Sequence, residues 1–330
     1  MVAPRKSSVA AISDRTRAAS EFGSAVRERR CGRQGGAALM LSLWALFLLS
    51  AMVITWALDI DSRLIFSGNA SRNLEAVAMA CSGAEIAMHP NVKPGSPLLH
   101  GSIGQGKKFQ ARITGEAGRL NLNFLLAGEN PQRIELLRKY LEIKGVDLNE
   151  RDRMIDCLLD WVDPDNLERL NGAEEGPGYK PPNKPLTRIE EVKRIKGWED
   201  FTSRDDWDAD FTLNTQSGLI DPVWASRDVL LSLPGMTEPF VEQFLTLRRG
   251  PDGIEGTEDD AVFKSPDEVL IALGYGQQVR QQLLGLIGTK DPTMRVVSVG
   301  QSGDVTRTVR MVIRKTGNSV QLVPGTWKEL

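Results

Sequence analysis

Residues Ala37 to Leu58 read AALMLSLWALFLLSAMVITWAL, 22 positions in a row without a charge. Coiled as an α-helix at about 1.5 Å per residue, the stretch spans about 33 Å, enough to cross the hydrocarbon core of a bilayer. A buried helix of a soluble domain is the competing reading, but uncharged stretches of this length are uncommon there. The 36 residues before it carry eight basic side chains against three acids. By the positive-inside rule that segment stays in the cytoplasm, and everything after Asp59 is exported to the periplasm.

With 330 residues, the chain has room for two compact domains and an appendage. A content of 41% hydrophobic and 25% charged residues argues against disorder. The net charge of −2 hides an asymmetry, because the basic head is +5 and the remainder −7. An acidic body is a poor partner for nucleic acid. Three cysteines, Cys31, Cys81 and Cys157, make no disulfide framework, and little supports a bridge between the last two. His89 and His100 flank a loop and have no metal or triad partner nearby in sequence.

A secretory signal has a shorter apolar region, with a small-residue cleavage site after it. Here Gly35-Gly36 comes before the apolar run instead. The order of basic segment, glycine and apolar helix resembles type IV prepilin leaders. A dedicated peptidase cuts these on the cytoplasmic side, which would place the scissile bond between Gly36 and Ala37. An uncleaved anchor is the alternative.

Beyond the span, Ala70, Leu74, Val77, Cys81, Ala84 and Met88 recur at spacings of four and three, one face of a continuing helix. Arg72, Asn73, Glu75 and Glu85 fall on its other side. His89 to Gly106 reads as a loop, Phe109 to Ile113 as a strand, and Arg119 to Asn123 as a second extended piece. Helical patterns follow over 132–141 and 150–161, then a Pro/Gly/Asn-rich loop over 164–185. Short helices come next at 189–195, 227–231, 238–248 and 266–286. From Arg295 the pattern turns β-branched: strands over 296–299, 305–314 and 319–323 are separated by Gly303-Asp304 and Gly317-Asn318 turns. Strands near 109–123 and 295–323 thus bracket a helical middle. The expected fold class is α+β: a spine helix and a small antiparallel sheet, interrupted by a large helical insertion. The boundaries are 1–36 leader, 37–58 span, 59–124 spine continuation and first strands, 125–290 insertion, and 291–330 closing strands.

Two segments of the middle look like helix-hairpin-helix (SAM-like) units, Leu186 to Trp198 and Ala225 to Leu245. In DNA-binding versions, hairpin glycines bring backbone N–H groups to phosphate, and nearby Lys or Arg neutralise it. Here the hairpins run into Glu199-Asp200 and Glu238, acids where phosphate would sit. A membrane-anchored DNA receptor is therefore the secondary reading, and a helical scaffold the favoured one.

With these features assembled, the chain resembles the minor pseudopilin K family of bacterial type II secretion systems over nearly everything after residue 33. The carriers are Arg33 to Met40, Gly118-Arg119-Leu120-Asn121-Leu122-Asn123, Leu158 to Asp165, Asn171-Gly172-Ala173-Glu174, and Pro185-Leu186 leading into Ile189 to Val192. The resemblance implies a pilin-like α+β core with a helical insertion. It also implies a bacterial inner-membrane location, processing by prepilin peptidase, and a place capping the pseudopilus tip in support of protein export. The implied partners are other minor pseudopilins, the inner-membrane secretion platform, and secreted substrate or the secretin. Leu41, fifth from Ala37, stands where most pilins carry glutamate, an acid thought to pair with the N-terminal amine of the subunit above. A tip subunit has no neighbour above, and an unpaired carboxylate in hydrocarbon is costly. Ordinary variation in an anchor helix is the plainer account of Leu41.

The chemically richest stretch is Asp252, Glu255, Glu258, Asp259 and Asp260, five carboxylates in nine residues with glycines between them. Calcium takes six to eight oxygens from such loops. EF-hand spacing is absent, so the expectation is a structural calcium loop of another kind, in keeping with calcium sites in relatives. Asp160, Asp163, Asp165 and Glu174 form a weaker candidate cluster. There is no phosphate-binding glycine loop, nucleophile–His pair or zinc spacing, and no enzymatic activity is expected.

Overall fold

The computed structural model describes residues 34–104, 106–253, 255, 259–276, 280, 283 and 285–330. Residues 1–33 of the leader, with Cys31, and the candidate ligand Glu258 lie outside the described residues. The chain divides into two units, Met1–Leu64 and Ile65–Leu330.

The described part of the first unit belongs to α1 (Gln34–Ala87), a helix of 54 residues. Leu43, Trp44, Leu46, Phe47, Leu48 and Leu49 are all at least 60% exposed, although neighbouring positions point to different sides of a helix. A helix apolar all round needs apolar surroundings. Among the described residues, α1 is the one helix long and apolar enough to cross a membrane, by length and composition.

In the second unit, the C-terminal part of α1 packs on an antiparallel sheet built from β1 (His100–Ser102), β2 (Lys107–Gly115), β5 (Thr293–Ser302), β6 (Val305–Thr316), β7 (Ser319–Leu322) and β8 (Lys328–Glu329). The order is β1-β2-β5-β6-β7, with β8 also on β6. Strands far apart in sequence meet as the bracketing pattern predicts: Ile113 lies opposite Val296, and Val296 opposite Met311. The β5–β6 and β6–β7 connections are two-residue turns with Gly303 and Gly317 at φ +59°, where L side chains are strained.

The expected apolar stripe on α1 is corrected by the packing. Ala84 of that stripe is fully buried and Cys81 and Met88 pack against the same core, but Ala70 and Leu74 are exposed, Leu74 by 71%, and the buried face also takes in Ala76, Met79, Ala80, Gly83 and Ala87. The reason is close approach. A Cβ on Gly300 of β5 would lie 2.1 Å from Ala76 O and 2.3 Å from Ala80 N. One on Gly83 would lie 2.4 Å from Ser298 Oγ. Small residues therefore make the closest approach to the sheet. The side read as a solvent face also contributes: Glu75 accepts from Lys107 Nζ (2.8 Å) and Ser302 Oγ (2.7 Å), and Arg72 pairs with Asp304 (3.2 Å). Lys315 Nζ donates to Val92 O just past the helix end.

Between β2 and β5 in the chain lies a helical body. It comprises β3 (Leu120–Asn121), α2 (Leu122–Leu126), α3 (Pro131–Ile143), α4 (Leu148–Val162), α5 (Glu199–Thr202), β4 (Phe211–Thr212), α6 (Arg227–Ser232), α7 (Glu238–Arg248) and α8 (Pro266–Ala272). Its buried apolar cluster runs from Leu120 to Ile287 and shares no residue with the cluster under the sheet. Asn130 caps α3 by accepting from Gln132 N and Arg133 N, with Pro131 at the first helical position. Trp198, fully buried, donates from Nε1 to Met154 O at 2.8 Å. Tyr140 donates to Asp210 at 3.0 Å.

Three further expectations change. Leu120–Asn121 pairs in parallel with Phe211–Thr212 and joins the helical body, not the main sheet. Its apolar residues Leu120 and Leu122 are completed by the helices. The loop 89–106 contributes the short edge strand β1. The helix read over 266–286 ends at Ala272, because Leu273 is followed by Gly274 at φ +80°. Residues 277–279, 281, 282 and 284 lie outside the described residues. Cys81 and Cys157 are free thiols, the second buried.

Candidate functional site

Gly36, Ala37 and Leu41 lie on α1 in the first unit. A Cβ on Gly36 would meet nothing within 4 Å, and Leu41 is 70% exposed. Leu41 thus sits among apolar side chains that are all turned outward. In the second unit, Leu74 leaves an apolar position on α1 that its own sheet does not cover.

In the acidic loop, Glu255 is taken by cations of the chain itself. Its Oε1 accepts from Arg248 Nη2 at 2.6 Å and from Arg249 Nε at 3.2 Å. Burial pushes the Glu255 carboxyl up, but the two arginines hold it below the usual carboxylate range. Asp259 Oδ2 accepts from Asp252 N (3.1 Å), and Ala261 N donates to Arg248 O (3.1 Å). A Cβ on Gly250 would sit 2.3 Å from Asp259 O, so the loop closes on itself through a glycine at φ +65°. Among the described residues, no group of three His, Cys, Asp or Glu could hold a metal ion. The described side chains therefore do not by themselves make a calcium cage.

The second cluster has a cation built in. Arg169 Nη1 donates to both Asp160 and Asp163, and Nη2 to Glu129 at 2.7 Å. Asp160, fully buried, also accepts from Ala173 N at 2.8 Å and Arg169 N at 3.3 Å. Gly172 is required there, since a Cβ would lie 1.9 Å from Asp160 Oδ2. Burial raises the Glu174 carboxyl, helped by Asp160, Asp163 and Asp165. A guanidinium thus stands where the sequence suggested a metal, and the Leu158–Asp165 and Asn171–Glu174 motifs prove to be two halves of one cluster.

Both hairpin glycines, Gly197 (φ +83°) and Gly235 (φ +76°), are left-handed. Glu238, opening α7, accepts from Arg227 at 3.0 Å, and Glu242 does so at 2.7 Å. The hairpin thus presents paired acid, which repels phosphate.

Sequence reasoning missed the joint between sheet and helical body. Glu116, fully buried, accepts from Arg295 Nε and Nη2 at 2.8 Å each, and from Thr212 Oγ1. Trp224 wedges beside it: Cβ atoms on Gly115 or Gly118 would lie 2.2 Å from its ring and 2.3 Å from its carbonyl oxygen. The available signal was the Gly115-Glu116-Ala117-Gly118 run between two extended pieces. Close by, Asp221 lines a cleft of about 450 Å³ with Trp224, Arg248 and Phe263. Burial pushes its carboxyl up to about 7.

The family model for type II secretion system protein K, its first domain, matches residues 118–204. A type II secretion system protein K of Klebsiella pneumoniae is 28% identical over 51% of this chain and 59% of its own length. That of Dickeya chrysanthemi is 28% identical over 71 residues, 21% of this chain and 20% of its own. The match thus spans less than two thirds of either curated relative. Among solved structures, the GspK–GspI–GspJ complex from the enterotoxigenic Escherichia coli type 2 secretion system matches with a TM-score of 0.52 and 13% identity. The match covers 80% of this chain and 97% of that one. The likeness in fold is of a long N-terminal helix followed by mixed helices and an antiparallel sheet.

Proposed function

We propose that this chain, a type II secretion system protein K by family model, curated relatives and fold, caps the pseudopilus tip as a minor pseudopilin and supports its assembly and protein export. The observation that carries the reading is α1. Its first part is apolar on all sides, and its second docks on the sheet through glycine and alanine while leaving Leu74 uncovered. Such a helix has one role to play in lipid and another against sister helices.

In this reading the N-terminus is cytoplasmic, the anchor crosses the inner membrane once, and the second unit is periplasmic. Prepilin peptidase removes the leader after Gly36. The partners are other minor pseudopilins, the inner-membrane platform, and secreted substrate or secretin. The helical body is an inserted scaffold with no catalytic task. Glu238 and Glu242 at the second hairpin weigh against a DNA-receptor role. Calcium at 252–260 belongs to the proposal on the chemistry of its acids, with Glu258 joining Asp252, Asp259 and Asp260. A chelator should then lower the melting temperature of the full chain, and calcium restore it.

The test of the main reading is co-expression of the full chain with the two minor pseudopilins of its own secretion system, followed by purification in detergent. A stable heteromeric complex is expected. A monodisperse monomer under the same conditions would remove the assembly role.

A further inference from the structure

Between α4 and the first hairpin, the chain makes a long irregular segment with two large apolar side chains turned to water. Leu167 is 75% exposed and Leu170 is 97% exposed. Loose surface loops do not ordinarily hold such residues in fixed positions, but this loop is fastened from beneath. The Arg169 guanidinium, between the two leucines in sequence, reaches inward to Asp160, Asp163 and Glu129. Asn171 donates from N and Nδ2 to Asp156, at 3.2 and 3.0 Å. Leu167 N donates to Asp165 Oδ1 at 2.9 Å, and Gly172 N to Arg169 O at 3.0 Å.

Backbone strain is spent on the same segment. Among the described residues, the non-glycine residues at positive φ are Glu129 (+50°) and Asn183 (+49°). Both lie outside the loop, and both use their side chains to hold it. Glu129 accepts from Arg169, while Asn183 Nδ2 donates to Asp165 O and to Asn166 Oδ1. Strain of this kind persists where the surroundings over-determine it, and it concentrates at functional positions.

The charge around the leucines is one-sided. Of the five acids from Asp163 to Gly176, Asp163 is held by Arg169, Glu174 is half-buried and Glu175 pairs with Lys180, which leaves Asp165 and Glu168 exposed beside the leucines. Arg169 is already engaged, so its charge is turned inward. The exposed rim is negative.

We propose that residues 163–176 form a pre-organised docking loop. It inserts Leu167 and Leu170 into an apolar pocket of a protein partner, and lysines or arginines rimming that pocket meet Asp165 and Glu168. Rigid apolar anchors with a charged surround are the make-up of interface hot spots: the ordering cost is met before binding, and the charges choose the partner. The inference rests on reading the chain as an assembly subunit, and the two can fail separately.

The test uses the full chain in its own host, with a photo-crosslinking phenylalanine analogue at position 170 and, in a second strain, at position 74 on α1. From position 170, one defined adduct is expected, with a partner peptide carrying Lys or Arg beside apolar residues, read by mass spectrometry. The adduct should fall severalfold on Glu168→Lys, which reverses an exposed charge without touching the loop's fastening hydrogen bonds. It should also fall on Leu167→Ser, with the melting temperature of that variant unchanged. No adduct from 170 while 74 crosslinks to other pseudopilins would overturn the docking loop alone. An adduct with a second copy of this chain, or one indifferent to the charge reversal, would overturn it equally. No adduct from 74 would count against the assembly reading itself.

Discussion

Arg295 on β5 and Glu116 at the end of β2 share a two-pronged ion pair, Nε to Oε2 and Nη2 to Oε1 at 2.8 Å each, with Glu116 fully buried. The chain leaves the sheet for the helical body beside Glu116 and returns at β5, so this pair closes the mouth of the excursion. Thr212 donates to the same carboxylate from β4. Glu116→Gln leaves Arg295 buried and uncompensated. A loss of about 3–5 kcal/mol in the denaturant unfolding of the full chain is expected, largely recovered in a Glu116→Leu, Arg295→Met double variant.

The α1–sheet contact depends on the absence of one methyl group. Gly300→Ala would drive Cβ into Ala76 O and Ala80 N. Backbone on both sides leaves no flexible end to move, so a loss of about 1–3 kcal/mol is expected by urea titration followed through tryptophan fluorescence. Gly276→Ala, where nothing lies within 4 Å, should stay within about 0.5 kcal/mol.

Asp221 sets a pH dependence. Burial raises its folded value to about 7 from the model-compound 3.8. Between those values the folded state keeps a proton that the unfolded state has released. The stabilisation is therefore complete below about 4 and is lost as pH rises through about 7. Asp221→Asn can still accept the hydrogen bond from Val223 N (3.0 Å in the native chain). The variant should flatten the fall in melting temperature from pH 4 to 8 and be the more stable protein at pH 8.

Arg169 holds two sequence motifs together, and its loss should be felt in the loop before the core. Arg169→Gln removes the charge that Asp160, Asp163 and Glu129 share. Amide exchange of residues 163–176 should rise at least tenfold. Buried amides of α3 around Leu137 should change little.

What the sequence made legible follows from periodicity and composition. The uncharged run at 37–58 announced α1, and the β-branched run after Arg295 announced the three-stranded end of the sheet. The Gly303 and Gly317 turns set where those strands reverse. The rest depended on contacts between distant residues. Which face of α1 is buried was decided by Gly300, more than 200 positions away, so the stripe held at Ala84, Cys81 and Met88 but failed at Ala70 and Leu74. Leu120–Asn121 reads as a strand but takes its partner from Phe211–Thr212, a pairing that no local pattern encodes. Among the sites, Asp160 and Asp163 were picked out for their acids, while Arg169, the cation that binds both, lay in the 164–185 loop with no pattern to single it out. Glu116 was invisible because its partner sits 179 residues on.

The proposed processing of α1 as a pseudopilin spine is tested most directly by the mass of the mature chain in a host with prepilin peptidase. The mature chain is expected to begin at Ala37, with the basic leader gone and the apolar helix retained. A chain still starting at Met1 in a host with active peptidase, or one starting beyond Leu58, would contradict it.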